Sequence, residues 1–576
     1  MSNHSSKRIL EECSMPVAMD NMRFFRAGPA ALIARLCDVL KIAEIIDAVV
    51  EWDPAQCHLS PGNRVKALII NLLVDREALY HVERFYENQD LEVLFGAEQQ
   101  VRPEDFNDDA LGRALDKLFT SGQLKKLFSS IALTAAATHN VPIEGIHVDT
   151  TSISVQGAYE GEGDLDITFG FSKDHRPDLK QFLIGLTVNK DGLPILGQSL
   201  DGNTSDKSWY PRVIEELVQT FKPEKLKEVI FVADCALVTK DNLALLVQEE
   251  DNKPALQFIS LLPENFGLNK EIKAEAFRTG TWQEIGKLSP KKDAACYKSQ
   301  SFVREIDGRD YRLIVVHATT LDKRKENSLL KKWAKQREVL EKAAKDLSRR
   351  PFACEADAKK ALELFYQEYR HQPFILKGTV DEEIASSYAR PGRPKKGEQP
   401  LNTVVYHAHI QIEEDREAMA HEKDLASTFV LITNLMDTKA YPDREVLKEY
   451  KEQNAVERQF RFLKQPVLLG PIFLKNKNRV EAMSFVFQLA LLVAAYLEYR
   501  VRKSLEQEES SLILPGKRKS TNPTARALLE MFDYLLVVKQ GSDRALINYQ
   551  GPEVIRALEL AGFGKEIYLF PPRGGG

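Results

Sequence analysis

The sequence predicts an α/β fold whose mixed sheet is interrupted by an α+β insertion and preceded by a helical domain. Three observations lead there. Residues 28–138 repeat apolar side chains every three or four positions. From 143 the chain turns to short stretches rich in Ile, Val and Thr. After a long region of different character, the buried-type strand "TFVLITNL" at 428–435 resumes the earlier pattern.

At 576 residues and 65.3 kDa the chain should form two to four domains. Its first 27 residues have no periodicity and are expected to be disordered or extended. In 28–138, "GPAALIARLCDVLKI", "PGNRVKALIINLLVDREALYHVERFYE" and "DALGRALDKLFTSGQLKKLFSSIALTAA" read as helices. They suit either a helix-turn-helix for DNA or a packing and dimerisation module.

The first sheet segment is expected over 139–263. "IEGIHVDTTSISVQG", "QFLIGLTVN" and "LPILGQSL" read as strands, followed by alternating helix and strand through "EVIFVADCAL" and "LQFISLLP". Three strands and then alternation indicate a mixed sheet. The insertion is expected over 264–425, with strands in "TWQEIGKL", "RDYRLIVVHATT" and "TVVYHAHIQI" and helices near 322–348 and 355–370. Between them "SSYARPGRPKKGEQP" reads as a loop. The sheet domain resumes over 426–505, with a core helix at about 479–504, and 506–576 forms a tail beginning with a polar linker.

Net charge is −5, so any polyanion contact must come from local patches. The six cysteines show no CxxC spacing, which disfavours zinc knuckles and fits a reducing compartment. The longest apolar run, Leu489 to Leu497, is too short to span a bilayer. A soluble cytoplasmic protein is expected. P-loop, HExxH and GxSxG patterns are absent from the sequence, disfavouring an NTPase, a zincin or a serine hydrolase.

Three carboxylates draw the chemistry together. Asp149 sits mid-strand in "GIHVDTTS", and Asp234 ends "VIFVAD", where ligands gather on α/β sheets. Glu457 lies in "EYKEQNAVERQFRFLKQP", Glu449 to Pro466, which reads as one helix. On it Tyr450, Gln453, Glu457, Arg461 and Lys464 fall within about 40° of one line, beside a core stripe of Val456, Phe460 and Leu463. Clustered carboxylates repel unless a cation lies between them, and oxygen donors suit Mg²⁺ or Mn²⁺. Two such ions would serve phosphodiester chemistry, with Arg461 and Lys464 meeting phosphates. The competing reading is a solvated Glu457–Arg461 pair at i,i+4, worth a few tenths of a kcal/mol.

The order Asp149, Asp234, Glu457 resembles the DDE motif of insertion-sequence transposases with an RNase H-like core. One branch carries Tyr-x2-Arg-x3-Glu-x6-Lys around the third carboxylate. Here Tyr450, Gln453, Glu457 and Lys464 stand at that spacing, Gln453 in place of Arg, with Arg461 or Arg458 able to supply the charge. The long insertion before Glu457 is also similar to that branch. So are "GFSKDHRPDLKQFLIGLTV", "LDGNTSDKSWY", "FVADCALVTKDNL", "FVLITNL" and "VERQFRFLKQPVLLGPIF" in this order, and the resemblance covers about 140–500. It implies a two-metal nuclease and strand transferase that cuts double-stranded DNA at terminal inverted repeats and joins the 3′-hydroxyls to target DNA, as a homodimer in a paired-end complex. The rival functions are a metal nuclease that does not join DNA and an inert DNA-binding descendant.

"SKDHRPDLK" offers Lys173, His175, Arg176 and Lys180 as further DNA phosphate contacts, or is simply a polar turn. "DGNTSDKSWY" suggests a phosphate-accepting helix start, or a helix capped by Asn203 or Asp206. Residues 320–350 hold eleven Lys or Arg against five Asp or Glu, either a DNA surface or a solvated face. "ARPGRPKKG" resembles a broken minor-groove hook around Arg393, or a basic linker.

Overall fold

A computed structural model describes residues 22–572 except 162, 173–175, 248–255, 290–293, 321–322, 388–398, 400, 454–473, 475 and 549–550. The chain divides into two compact units, residues 1–260 with 448–576, and residues 261–447.

The first unit opens with strand β1 (Met22–Arg26), in the segment expected to be disordered or extended. Helices α1 (Ala30–Val39), α2 (Ile42–Asp47), α3 (Pro61–Val74), α4 (Val82–Glu87), α5 (Leu91–Phe95), α6 (Asp108–Thr120) and α7 (Leu124–Thr138) follow. Their starts are marked locally. Ser60 caps α3 ahead of Pro61, and Asn107 accepts the Ala110 amide to cap α6.

Next come β2 (Gly145–Val155), β3 (Lys180–Asn189), β4 (Pro194–Leu200), α8 (Asp206–Thr220), α9 (Pro223–Leu226), β5 (Ile230–Ala233), α10 (Lys240–Val247) and β6 (Gln257–Leu261). The strand order is β4-β3-β2-β5-β6. β2, β3 and β4 pair antiparallel, while β5 and β6 continue parallel to β2. The mixed sheet therefore follows the sequence pattern of three strands and then alternation.

In the second unit α11 (Gly267–Thr279) precedes β7 (Gln283–Lys287), β8 (Cys296–Ile306) and β9 (Arg309–Ala318). Helices α12 (Lys323–Ser348) and α13 (Glu355–Tyr369) pack on a two-stranded ribbon of β10 (Phe374–Ser387) and β11 (Leu401–Glu414). Leu340, Ala344, Phe365 and Phe374 form the core of that packing. Then α14 (Arg416–Ala426) leads to β12 (Thr428–Thr433), which pairs antiparallel with β9. Helix α15 (Asp443–Lys451) carries the chain back into the first unit. The unit thus begins before and ends beyond the expected insertion at 264–425, because β12 belongs with β9.

Two strands depart from the sequence reading. β8 is joined to β9 by Asp307 and Gly308, both at positive φ, the turn chemistry of a tight hairpin. β10 includes Ser386 and Ser387 of the expected loop. Of the basic residues on α12, Lys332 pairs with Glu422, and Arg337 with Glu341 and Glu414. Arg393 lies outside the described residues.

Inside the second unit, Arg312 and Asp443 form a buried ion pair. Arg312 also donates to the carbonyls of Tyr441 (2.7 Å) and Leu435 (3.2 Å). Asp443 accepts from Ser299 (2.6 Å) and Ser301 (2.7 Å).

The helix Lys477–Gln507 centres the first unit and extends past the expected 479–504 at both ends. Among the described helices it alone is long and apolar enough to cross a membrane, yet 94% of its apolar window is buried inside the fold. It packs on α3, α6, α7 and β4. Arg479 at its start grips Asp116 of α6 through two hydrogen bonds of 2.7 and 2.6 Å. The expected linker holds a small hairpin, β13 (Leu512–Leu514) with β14 (Arg518–Ser520). Beyond it β15 (Leu536–Gln540) pairs with β1 and with β16 (Asp543–Ile547), so the tail is part of the unit.

Candidate active site

β2 and β5 run parallel, with Gly145, Ile146 and His147 opposite Ile230, Phe231 and Val232. Continued two rungs past its last paired residues, that register would set Asp149 level with Asp234, neighbouring strands lying about 4.8 Å apart. Asp234 directly follows β5 and keeps an extended backbone. Same-face residues alternate along a strand, so the two carboxylates share one face. Both are half-buried.

Each carboxylate is held by neighbours that fix its aim. Asp234 Oδ1 accepts from the Tyr210 hydroxyl at 2.7 Å and from the Ala236 amide at 2.9 Å. Ser260 donates to the Asp234 carbonyl at 2.7 Å. Asp149 Oδ1 accepts from the Thr150 amide at 2.7 Å, and the Thr150 hydroxyl donates to Asp206 at 2.5 Å. Asp206 stands in the first turn of α8, while the cap itself is Ser205, which accepts the Ser208 amide. Neither Asn203 nor Asp206 fills the expected capping role.

Buried Tyr210 reports the charge of the site. Burial raises its hydroxyl well above the ordinary tyrosine range, and Asp234, Asp206 and Asp149 push it further. The phenol therefore stays protonated and keeps donating to Asp234 at every ordinary pH. Among the described residues no hydrogen bond reaches Asp234 Oδ2. An oxygen-only pair with one oriented, uncommitted oxygen fits a hard divalent cation.

A second group lies on the same face of β2. His147 is fully buried, and its Nε2 is 3.3 Å from Glu449 Oε1 on α15. The helix approaches so closely at Gly145 that a Cβ there would stand 1.9 Å from Glu449 Oε1. Glu452 follows; burial first, then the neighbouring Glu449, raises its carboxyl above the ordinary range.

The helix expected to run unbroken from Glu449 ends at Lys451. The Gln453 amide bonds to the Tyr450 carbonyl at 3.2 Å, three residues back, so the last turn tightens and the line from Tyr450 to Gln453 leaves helical geometry. Glu457, Arg461, Lys464, Lys173 and His175 lie outside the described residues. Exposed Arg176 forks onto Asp178 at 2.8 and 2.7 Å, and Lys180 donates to the Ala158 carbonyl. Both cations expected at DNA are thus engaged locally.

Sequence reading passed over Tyr210, Thr150, His147, Glu449 and Glu452 as site residues. A signal for His147 was present: Gly145, His147 and Asp149 alternate along one face of a strand, with apolar Ile146 and Val148 between them. Tyr210 closes "DKSWY" and carries no local mark of its role.

A family described as a domain of unknown function (DUF4277) matches residues 28–133, within the N-terminal helices. No curated protein matches the chain. Among solved structures, the chain is similar to a piggyBac transposase in a synaptic complex with hairpin DNA, at 10% identity and a TM-score of 0.35, covering 88% of this chain and 80% of that one. Likeness at that level carries no functional argument.

Proposed function

We propose that the chain is a DNA transposase that cleaves double-stranded DNA at the ends of its own element and transfers the 3′-hydroxyls to target DNA. The observation that carries this reading is the parallel pairing of β2 with β5, whose register runs toward Asp149 on β2 and Asp234 just past the end of β5. The sheet order β4-β3-β2-β5-β6 supports an RNase H-like core. The motif series quoted above, ending in Glu457 four residues beyond Gln453, supplies the third carboxylate.

Asp149, Asp234 and Glu457 would hold two Mg²⁺ or Mn²⁺ ions, which supply activation of a water or 3′-hydroxyl and charge stabilisation at the leaving oxygen. The chain's own part is positioning. Tyr210 and the Ala236 amide fix one oxygen of Asp234, so the other is aimed without a rotamer search. Thr150 holds Asp206 back beside Asp149, keeping a third negative charge at the site's edge. Arg461, Lys464, Tyr450 and Gln453 are assigned to DNA phosphates, and a homodimer to the paired-end complex.

Labelled linear DNA carrying the element's termini, incubated with Mg²⁺, Mn²⁺ or EDTA, tests the reading. Metal-dependent nicking at the boundary followed by joining to a plasmid is expected. Asp234→Asn and Glu457→Gln should each lower cleavage by about 10³-fold, since metal stabilisation of the transition state amounts to several kcal/mol. Cleavage without joining would leave a nuclease; binding without cleavage in either metal would leave an inert DNA-binding protein.

A further inference from the structure

The group formed by His147, Glu449 and Glu452 has no part in the chemistry proposed above. One nitrogen or oxygen from each residue lies within 4.8 Å of the others. His147 is 0% exposed, yet neither ring nitrogen has a hydrogen-bond partner among the described residues. Glu449 Oε1 is buried and likewise without a hydrogen bond. Leaving such atoms unmade costs about 1–3 kcal/mol each, so a fold that gathers two of them facing each other calls for a ligand.

We propose that His147, Glu449 and Glu452 bind one divalent first-row cation, with Zn²⁺ the best match, at a site separate from Asp149 and Asp234. The donor set is one imidazole and two carboxylates, softer than the oxygen-only pair and suited to zinc. The geometry agrees. Zinc bonds of about 2.0–2.1 Å in a tetrahedron place neighbouring ligand atoms about 3.3 Å apart, and His147 Nε2 and Glu449 Oε1 stand at 3.3 Å. A charge-assisted hydrogen bond would be shorter, about 2.7–2.9 Å. Gly145 makes the approach of Glu449 sterically possible. Glu452 also lines a cleft with Lys190, Asp191, Tyr499 and Arg502, so one ligand of the cluster borders open space. An ion here ties the strand bearing Asp149 to the segment that reaches Glu457 five residues after Glu452.

The test uses the full chain, stripped with a chelator and titrated with Zn²⁺ under excess Mg²⁺ by calorimetry, with Co²⁺ absorption reporting the ligand set. One Zn²⁺ per chain is expected. Glu449→Gln/Glu452→Gln should weaken uptake by at least about 100-fold, whereas Asp149→Asn/Asp234→Asn should keep it. Metal-free circular dichroism checks folding, and Glu452→Gln alone serves if the double variant fails to fold. Uptake no greater in the parent than in the glutamine variants overturns the proposal. So does uptake that vanishes with the aspartates instead.

Discussion

Helix α15 contributes to two buried charge clusters that differ in completeness. At its start Asp443 meets Arg312, and the two share partners in Ser299, Ser301 and the carbonyls of Leu435 and Tyr441. Near its end Glu449 meets His147, whose ring nitrogens find no hydrogen bond among the described residues. Both arginine and histidine are almost wholly enclosed. A cluster whose donors and acceptors are matched needs nothing more and serves to lock α15 in place. A cluster left unmatched at equal depth is a place built to receive something.

Breaking the matched cluster should have the largest effect on stability. Asp443→Ala leaves a buried guanidinium without its counter-charge and should cost about 3–5 kcal/mol in urea unfolding; a loss below about 1 kcal/mol would show that Arg312 is satisfied by carbonyls alone. Filling the unmatched cluster should act in the opposite direction. Zn²⁺ at 100 times its Kd should stabilise the parent by about 2.7 kcal/mol and leave Glu449→Gln/Glu452→Gln unmoved.

Gly145→Ala separates packing from binding. The three atoms nearest the new methyl all belong to the flexible end of Glu449, so the cost should be about 1 kcal/mol. The displaced carboxylate should nevertheless erase the Zn²⁺ stabilisation, read as a lost shift in Tm.

The smallest effect concerns Glu481, which with Glu449 is one of two carboxyls holding a buried oxygen without a hydrogen bond, and which joins no candidate cation cluster among the described residues. Burial, then Asp164 and Asp201, raises its folded-state affinity for a proton. At this carboxyl the folded state therefore keeps its proton longer than the unfolded one as pH climbs above about 4.5, so its contribution to stability falls through that window. Glu481→Gln should flatten the fall and match the parent at lower pH; an unchanged Tm-versus-pH curve would remove Glu481 as its source.

How much of this could be read from the residues depended on how local each signal was. β2, β3, β5 and β12 announce themselves as runs of Ile, Val and Leu, because both faces of such strands are covered. β8 and β10 do not, since exposed positions, several of them polar or charged, alternate with half-buried ones along much of their length. Asp307-Gly308 was the better clue to β8, a two-residue hairpin turn leading into the apolar run of β9. Asp149 and Asp234 could be singled out because strand position alone marks them. The carboxylate–phenol contact of Asp234 with Tyr210 and the approach of Glu449 to His147 join residues far apart in the chain. No local pattern encodes either, and only the close fit at Gly145 left a trace.

The helix Lys477–Gln507 has a consequence for how the molecule comes into being. Its docking surfaces on α3, α6, α7 and β4 leave the ribosome long before it does, and residues 261–447 are made in between. At about 5–20 residues per second, those early helices and strands must wait many seconds with their apolar faces uncovered. The intervening unit, whose strands and helices are consecutive, can close meanwhile. Translation speed through that stretch, and holdase chaperones that shield the waiting surface, therefore bear on yield more than any single contact in the finished fold.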